Sequence, residues 1–198
     1  MNKITIPIAV IIISFSSITI LTLTNPDQDP IQTMPITKDS EMIPEGFVAY
    51  ENKALGMAVN YPEDWTIKYR DGDLGMQFVQ HDVSAGDLAD NPLFGVLAIS
   101  ASDDIADAKH LMHAYLDPLE SHELISDVEY AISDSNIGNI DATLVKLDQT
   151  VLNKKITMLS YYVDVDDKIY IISYTSPTSQ YESYLDTANK MFSSFKFI

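Results

Sequence analysis

Ile156-Thr157-Met158-Leu159-Ser160-Tyr161-Tyr162-Val163-Asp164-Val165-Asp166-Asp167-Lys168-Ile169-Tyr170-Ile171-Ile172-Ser173-Tyr174-Thr175 is the stretch whose reading decides the fold. Leu159, Tyr161 and Val163 fall on alternate positions, the period of a strand with one buried face. Only Asp166-Asp167 separates this run from the next apolar one, so Ile156–Val165 and Lys168–Thr175 read as a hairpin. Then the period changes. Tyr181, Leu185, Ala188, Phe192 and Phe195 lie on one helical stripe. Ahead of them Ser179-Gln180-Tyr181-Glu182 has the form of a capping box, in which serine and glutamate satisfy each other's free amides. A hairpin running into an amphipathic helix implies an antiparallel sheet covered by a helix, the α+β class.

Working upstream, Val128–Ser133 and Ile140–Gln149 read as two more strands. Before them comes a second helical pattern. Ile105, Ala108, Met112, Tyr115, Leu116 and Leu119 recur on one face between Asp104 and Leu119, with Asp103 or Asp104 as cap and Pro118 where regular helix should fail. The domain opens on short strands, Phe47–Glu51, Met57–Tyr61, Trp65–Arg70, Met76–His81 and Gly95–Ser100, the first four separated by Asn52-Lys53, Pro62-Glu63-Asp64 and Asp71-Gly72-Asp73. Trp65, on a strand just past a turn, reads as core in preference to a sugar-stacking platform. No internal repeat is present.

The first stretch lies outside this domain. Ile4–Leu23 carries no charge and as a helix would span about 30 Å, the thickness of a bilayer's hydrocarbon core. A cleaved signal has a shorter apolar run ending on small residues, which Thr22 and Thr24 imitate poorly, so residues 1–24 are expected to be an uncleaved transmembrane signal anchor. Lys3 precedes the span, while the other 11 basic residues and all 29 acids follow it. The basic flank stays cytoplasmic, giving a single-pass cell-membrane protein with its domain extracytoplasmic. Residues 25–45, with Pro26, Pro30, Pro35 and Pro44 among Asp, Gln, Thr and Ser, read as a semi-stiff acidic linker. Residues 46–198 form the domain.

Composition removes several function classes. A net charge of −17 in 198 residues opposes every phosphate contact, which excludes a nucleic-acid partner. With no cysteine there is no disulfide, thiol nucleophile, thiolate zinc site or lipidated N-terminal cysteine. The seven glycines make no phosphate-cradling loop, and no G-x-S-x-G elbow occurs. Ser193 and Lys196 match S-x-x-K without its companion motifs. Asp164, Asp166 and Asp167 lack the turning glycine of an EF-hand and read as a solvated hairpin tip. His122-Glu123 would begin a zincin motif, but Ser126 stands where its second histidine belongs. One constellation has metal-ligand spacing. Asp107, His110, His113 and Asp117 share one face of the first helix, opposite its apolar stripe. Imidazole with carboxylate suits Zn²⁺ or Mn²⁺; the rival and preferred reading is the ordinary solvated face of an amphipathic helix.

Two short signatures resemble the PsbP family, which includes the extrinsic protein of the photosynthetic oxygen-evolving complex and its prokaryotic relatives. The first is Asn60-Tyr61-Pro62-Glu63-Asp64-Trp65, following Tyr50-Glu51-Asn52 and Gly56-Met57. The second is Ile140-Asp141-Ala142 before a long strand, then Lys168–Tyr174 and a Tyr-rich helix ending at Ser194-Phe195-Lys196. The resemblance covers Phe47 to Ile198. It implies an antiparallel β-sheet sandwiched between α-helices, without catalytic activity, docking on a membrane complex and helping to retain calcium or manganese. Two features depart from the pattern: Asn139 stands where the family favours glycine, and a bilayer anchor replaces a transit peptide, as in a relative built for another membrane. The expected function is thus a non-catalytic, membrane-anchored extracytoplasmic accessory domain that binds a membrane protein and divalent cations. The alternative is a module binding a solute or cell surface, which an apolar pocket between sheet and helix would favour. A hydrolase or isomerase comes third, since no nucleophile–base pair is visible.

Overall fold

The computed structural model describes residues 43–69, 75–80, 90–102 and 104–198. The expected anchor, 1–24, and the linker up to Met42 lie outside these residues, as do Arg70 and His81 of two expected strands. Among the described residues, no helix is long and apolar enough to cross a membrane. In chain order the strands are β1 (Phe47–Asn52), β2 (Met57–Pro62), β3 (Trp65–Tyr69), β4 (Gly75–Gln80), β5 (Leu93–Ser100), β6 (Ile125–Ile137), β7 (Ile140–Val151), β8 (Lys154–Val165), β9 (Lys168–Pro177) and β10 (Lys196–Phe197). Helix α1 (Ala108–Leu116) joins β5 to β6, and α2 (Tyr181–Ser194) joins β9 to β10.

The α+β class and its antiparallel pairing stand as read. The strands make two sheets, however, where the sequence suggested one. Seven form an antiparallel sheet in the order β3-β4-β5-β9-β8-β7-β6, and β1-β2-β10 form a small second one. A turn explains the break. Glu63 donates its amide to Gly46 O at 2.9 Å, closing the β1–β2 sheet before the chain reaches Trp65. The edge of β2 away from β1 is taken by β10, through Lys196–Ala58 and Phe197–Met57. Two residues carry no period, so β10 was invisible in the sequence. Strand β9 occupies the middle of the large sheet and is buried continuously from Ile169 to Ser176, hence the apolar run Ile169–Ile172 where an edge strand would alternate.

Both faces of the large sheet are covered. On one, α2 and the small sheet pack Met57, Val59, Met191, Phe192 and Phe195 against Trp65, Phe78, Phe94, Ile172 and Tyr174. On the other, α1 sets Leu111, Met112, Tyr115 and Leu116 against Val145, Leu147, Met158, Tyr162 and Ile171. Trp65 is core, as expected, at 6% exposure.

Two expectations about helix ends are corrected. The first helix starts at Ala108, four residues after Asp104 and five after Asp103, the acids proposed to cap it. Ser102 and Ile105 instead exchange backbone bonds, and Asp107 is the cap, accepting the His110 amide at 2.7 Å. No capping box forms on α2. Its N-cap is Gln180, one residue later than the box requires and without a side-chain bond, in a turn where Pro177, Thr178 and Gln180 carbonyls accept the amides of Gln180, Tyr181 and Ser183. The departure at Asn139 is resolved by backbone geometry. Gly138 (φ 54°) and Asn139 (φ 65°) are both left-handed in the two-residue turn between β6 and β7, and asparagine tolerates that region best after glycine.

Candidate functional site

The four residues singled out on α1 are all exposed, on the side away from the sheet, as their spacing required. Their polar atoms are divided between two local tasks. Asp107 Oδ1 holds the His110 amide, and His110 Nδ1 receives the Ala106 amide at 3.5 Å. One turn on, His113 Nδ1 lies 3.6 Å from Asp117 Oδ1. Among the described residues, no three His, Asp or Glu side chains gather so as to hold one ion. As they stand, the four make a solvated helix face with its own cap.

The more developed feature is a cleft of about 590 Å3 where the N-terminus of α1 meets the ends of β6, β7 and β8, with Lys109, Asp134, Asn136, Asp141 and Asp164 in its walls. Its carboxylates have structural duties. Asp164 reaches from β8 to accept the Ala108 amide at 2.8 Å, so the first turn of α1 is capped twice, by its own Asp107 and by the strand beneath it. The negative charge also complements the helix dipole. Across the cleft, Asn136 Nδ2 donates to Asp141 Oδ1 at 2.7 Å, tying β6 to β7 beside the Gly138-Asn139 turn. Three carboxylates face one ammonium group here, a surface that draws cations diffusely. The sequence reading placed Asp164 in a solvated tip and passed over Asn136, Asp141 and Lys109. A signal existed: Met158, Ser160 and Tyr162 share the face of β8 toward α1, and Asp164 is the next residue of that parity.

No family model matches the chain, and no curated protein matches it. Solved structures do. Against the solution structure of cyanobacterial PsbP from Synechocystis sp. PCC 6803, the TM-score is 0.57 at 11% identity, covering 83% of this chain and 100% of that one. The fold is PsbP-like. A second likeness is to LpqN of Mycobacterium tuberculosis, a protein involved in cell envelope biogenesis, with a TM-score of 0.50 at 12% identity over 71% of this chain and 82% of that one. A Bacteroides thetaiotaomicron protein matches at TM-score 0.48 and 16% identity over 76% of this chain, which spans only 48% of that longer one. In the PsbP-like fold the two sequence signatures are structural. Tyr61-Pro62-Glu63-Asp64-Trp65 is the crossing from the small sheet to the large one, and Ile140-Asp141-Ala142 opens β7 at the rim of the cleft.

Proposed function

We propose that this chain is a non-catalytic accessory domain, held outside the membrane by Ile4–Leu23 and docked on a membrane-protein complex, where it helps to retain calcium or manganese. The observation that carries the proposal is the PsbP-like fold, matched over the whole length of cyanobacterial PsbP. The apolar run before the domain and the Lys3 flank ahead of it support the outward placement. Cation retention draws on the acidic rim of the cleft and on Asp107, His110, His113 and Asp117, two places where carboxylate or imidazole groups face solvent together. A solute-binding module would be favoured by an apolar pocket between sheet and helix; the cleft described above is charged and opens at a sheet end.

The test is crosslinking in intact membranes after fractionation. The protein is expected to sediment at full length, to resist carbonate washing, and to crosslink to an integral membrane protein in a yield that falls when divalent ions are chelated. A released form starting near Asn25 would overturn the anchor. A crosslink profile without any membrane protein would overturn the docking.

A further inference from the structure

The two edges of the seven-stranded sheet are finished differently. At one, β3 has five residues, and the Tyr69 hydroxyl beside it is bonded to Tyr50 of the small sheet at 2.9 Å. At the other, β6 has thirteen, and among the described residues its outer side meets no strand. Native sheets blunt such edges with charged side chains, lysine above all, with proline or with a bulge, because unpaired amides and carbonyls are a template for another strand; the charges of β6 are Asp127, Glu129 and Asp134. Ile125–Ile137 contains neither lysine nor proline. Its one irregularity lies between Ser126 and Glu129, which leaves Glu129–Ile137 in unbroken register with β7. On this regular stretch Tyr130 is 46% and Ile132 44% exposed, although their cross-strand partners Leu147 and Val145 are buried.

We infer that β6 pairs antiparallel with β6 of a second copy of this chain, centred on Ala131, joining two seven-stranded sheets edge to edge. The sequence of the strand selects both the occupant and the register. With Ala131 facing the partner's Ala131, Tyr130 lies opposite the partner's Ile132 and Ile132 opposite the partner's Tyr130, so both exposed apolar side chains are covered in one step. Glu129 then meets the partner's Ser133, a hydroxyl donor, and Asp134 meets the partner's Val128. No acid faces an acid. Moving the centre half a residue either way sets Glu129, or Asp127, against the partner's Asp134. The long-range charge works against association, since each chain carries −17. Pairing therefore strengthens as salt rises, the opposite of an interface built on ion pairs.

The chain has no cysteine, so Ala131→Cys places a single thiol at the centre of the register. Facing Cα atoms in an antiparallel pair are about 4.5–5.5 Å apart, within disulfide reach. In full-length protein under mild oxidation, Ala131→Cys is expected to give several-fold more disulfide dimer than Leu152→Cys, whose position is 58% exposed on the β7–β8 turn. Adding Ser133→Lys, opposite the partner's Glu129, should raise the yield, and Ser133→Asp should lower it several-fold. Ser133 is exposed, so circular dichroism should not change with either. Equal yields at positions 131 and 152 would overturn the pairing, as would indifference to charge at 133. So would a yield that falls as salt rises.

Discussion

On the α2 side of the large sheet, Phe78, Phe94, Tyr161 and Phe192 form a chain of rings with centroids 4.8 to 6.2 Å apart, and the buried phenols have acceptors: Tyr174 donates to Tyr181 O at 2.9 Å, and Tyr170 to Leu55 O at 2.7 Å. On the α1 side the packing is mostly aliphatic, and among the described residues four buried polar atoms have no hydrogen-bond partner: Gln149 Oε1, Ser160 Oγ, Ser173 Oγ and Thr175 Oγ1. Ser160 and Ser173 lie directly opposite each other on β8 and β9. Cover differs as well. Nine-residue α1 is about 14 Å long, whereas twelve-residue β8 runs about 40 Å. One face is built for stability by a helix and a second sheet together; the other carries an energetic cost in unpaired hydroxyls under a short helix. The cleft and the polar α1 face both belong to the less committed side.

The largest effect should separate the two faces by truncation. Phe192→Ala removes a ring stacked between Phe94 and Tyr161 and is expected to cost about 3–5 kcal/mol in chemical unfolding. Leu111→Ala on α1 should cost about 2–3 kcal/mol, because a short helix can settle into the space left behind. If Leu111→Ala proved the more damaging, the assignment of stability to the α2 side would fail.

Alkaline pH acts on both sides, since burial also raises Tyr174 and Tyr181 on the α2 side to about 12, so only a substitution isolates the α1 share. Burial raises the Tyr115 phenol to about 12, with the Gln149 hydrogen bond pulling the other way. Burial, then the neighbouring Tyr115, raises the Tyr162 phenol well above its ordinary value. In the unfolded chain both ionise near 10. Their contribution is thus complete below pH 10 and is lost as pH climbs through the folded values. Thermal melts should hold level up to about pH 10 and fall steadily toward 12, with Tyr162→Phe flattening the decline. A decline unchanged by Tyr162→Phe would detach it from this face.

The smallest effect has the opposite sign. Ser173→Ala deletes a fully buried, unpartnered hydroxyl and should leave stability unchanged or raise it by up to about 1 kcal/mol. A loss beyond that would mean the hydroxyl is satisfied by buried water, and the contrast between the faces would shrink.

Much of the fold was legible because side-chain period reports which atoms leave water. The β8–β9 hairpin, the stripe of α2 and the core place of Trp65 all follow from alternation or helical spacing, which depends on neighbours along the chain. The candidate site was legible only in part. Asp107, His110, His113 and Asp117 do share an exposed face, yet their spacing was silent on the bonds that occupy Asp107 and His110. Cap assignment failed at Ser179 because a turn closed by the Pro177 and Thr178 carbonyls moves the start of the helix on by one residue, to Gln180 as cap.

By itself, then, the sequence determined the α+β class, the order of elements, the faces they bury and the acidic character of the whole surface. These are local properties, set by periodicity and by charge. Tertiary structure alone decided that the strands divide into two sheets, that β10 completes the smaller one, and that Asp164 of β8 caps α1 from 56 residues away. It also left β6 at an edge of the large sheet, with no strand beyond it among the described residues. Each of these depends on which surfaces meet after the chain has crossed itself, where the partner of a hydrogen bond is chosen by proximity in space and sequence distance carries no signal.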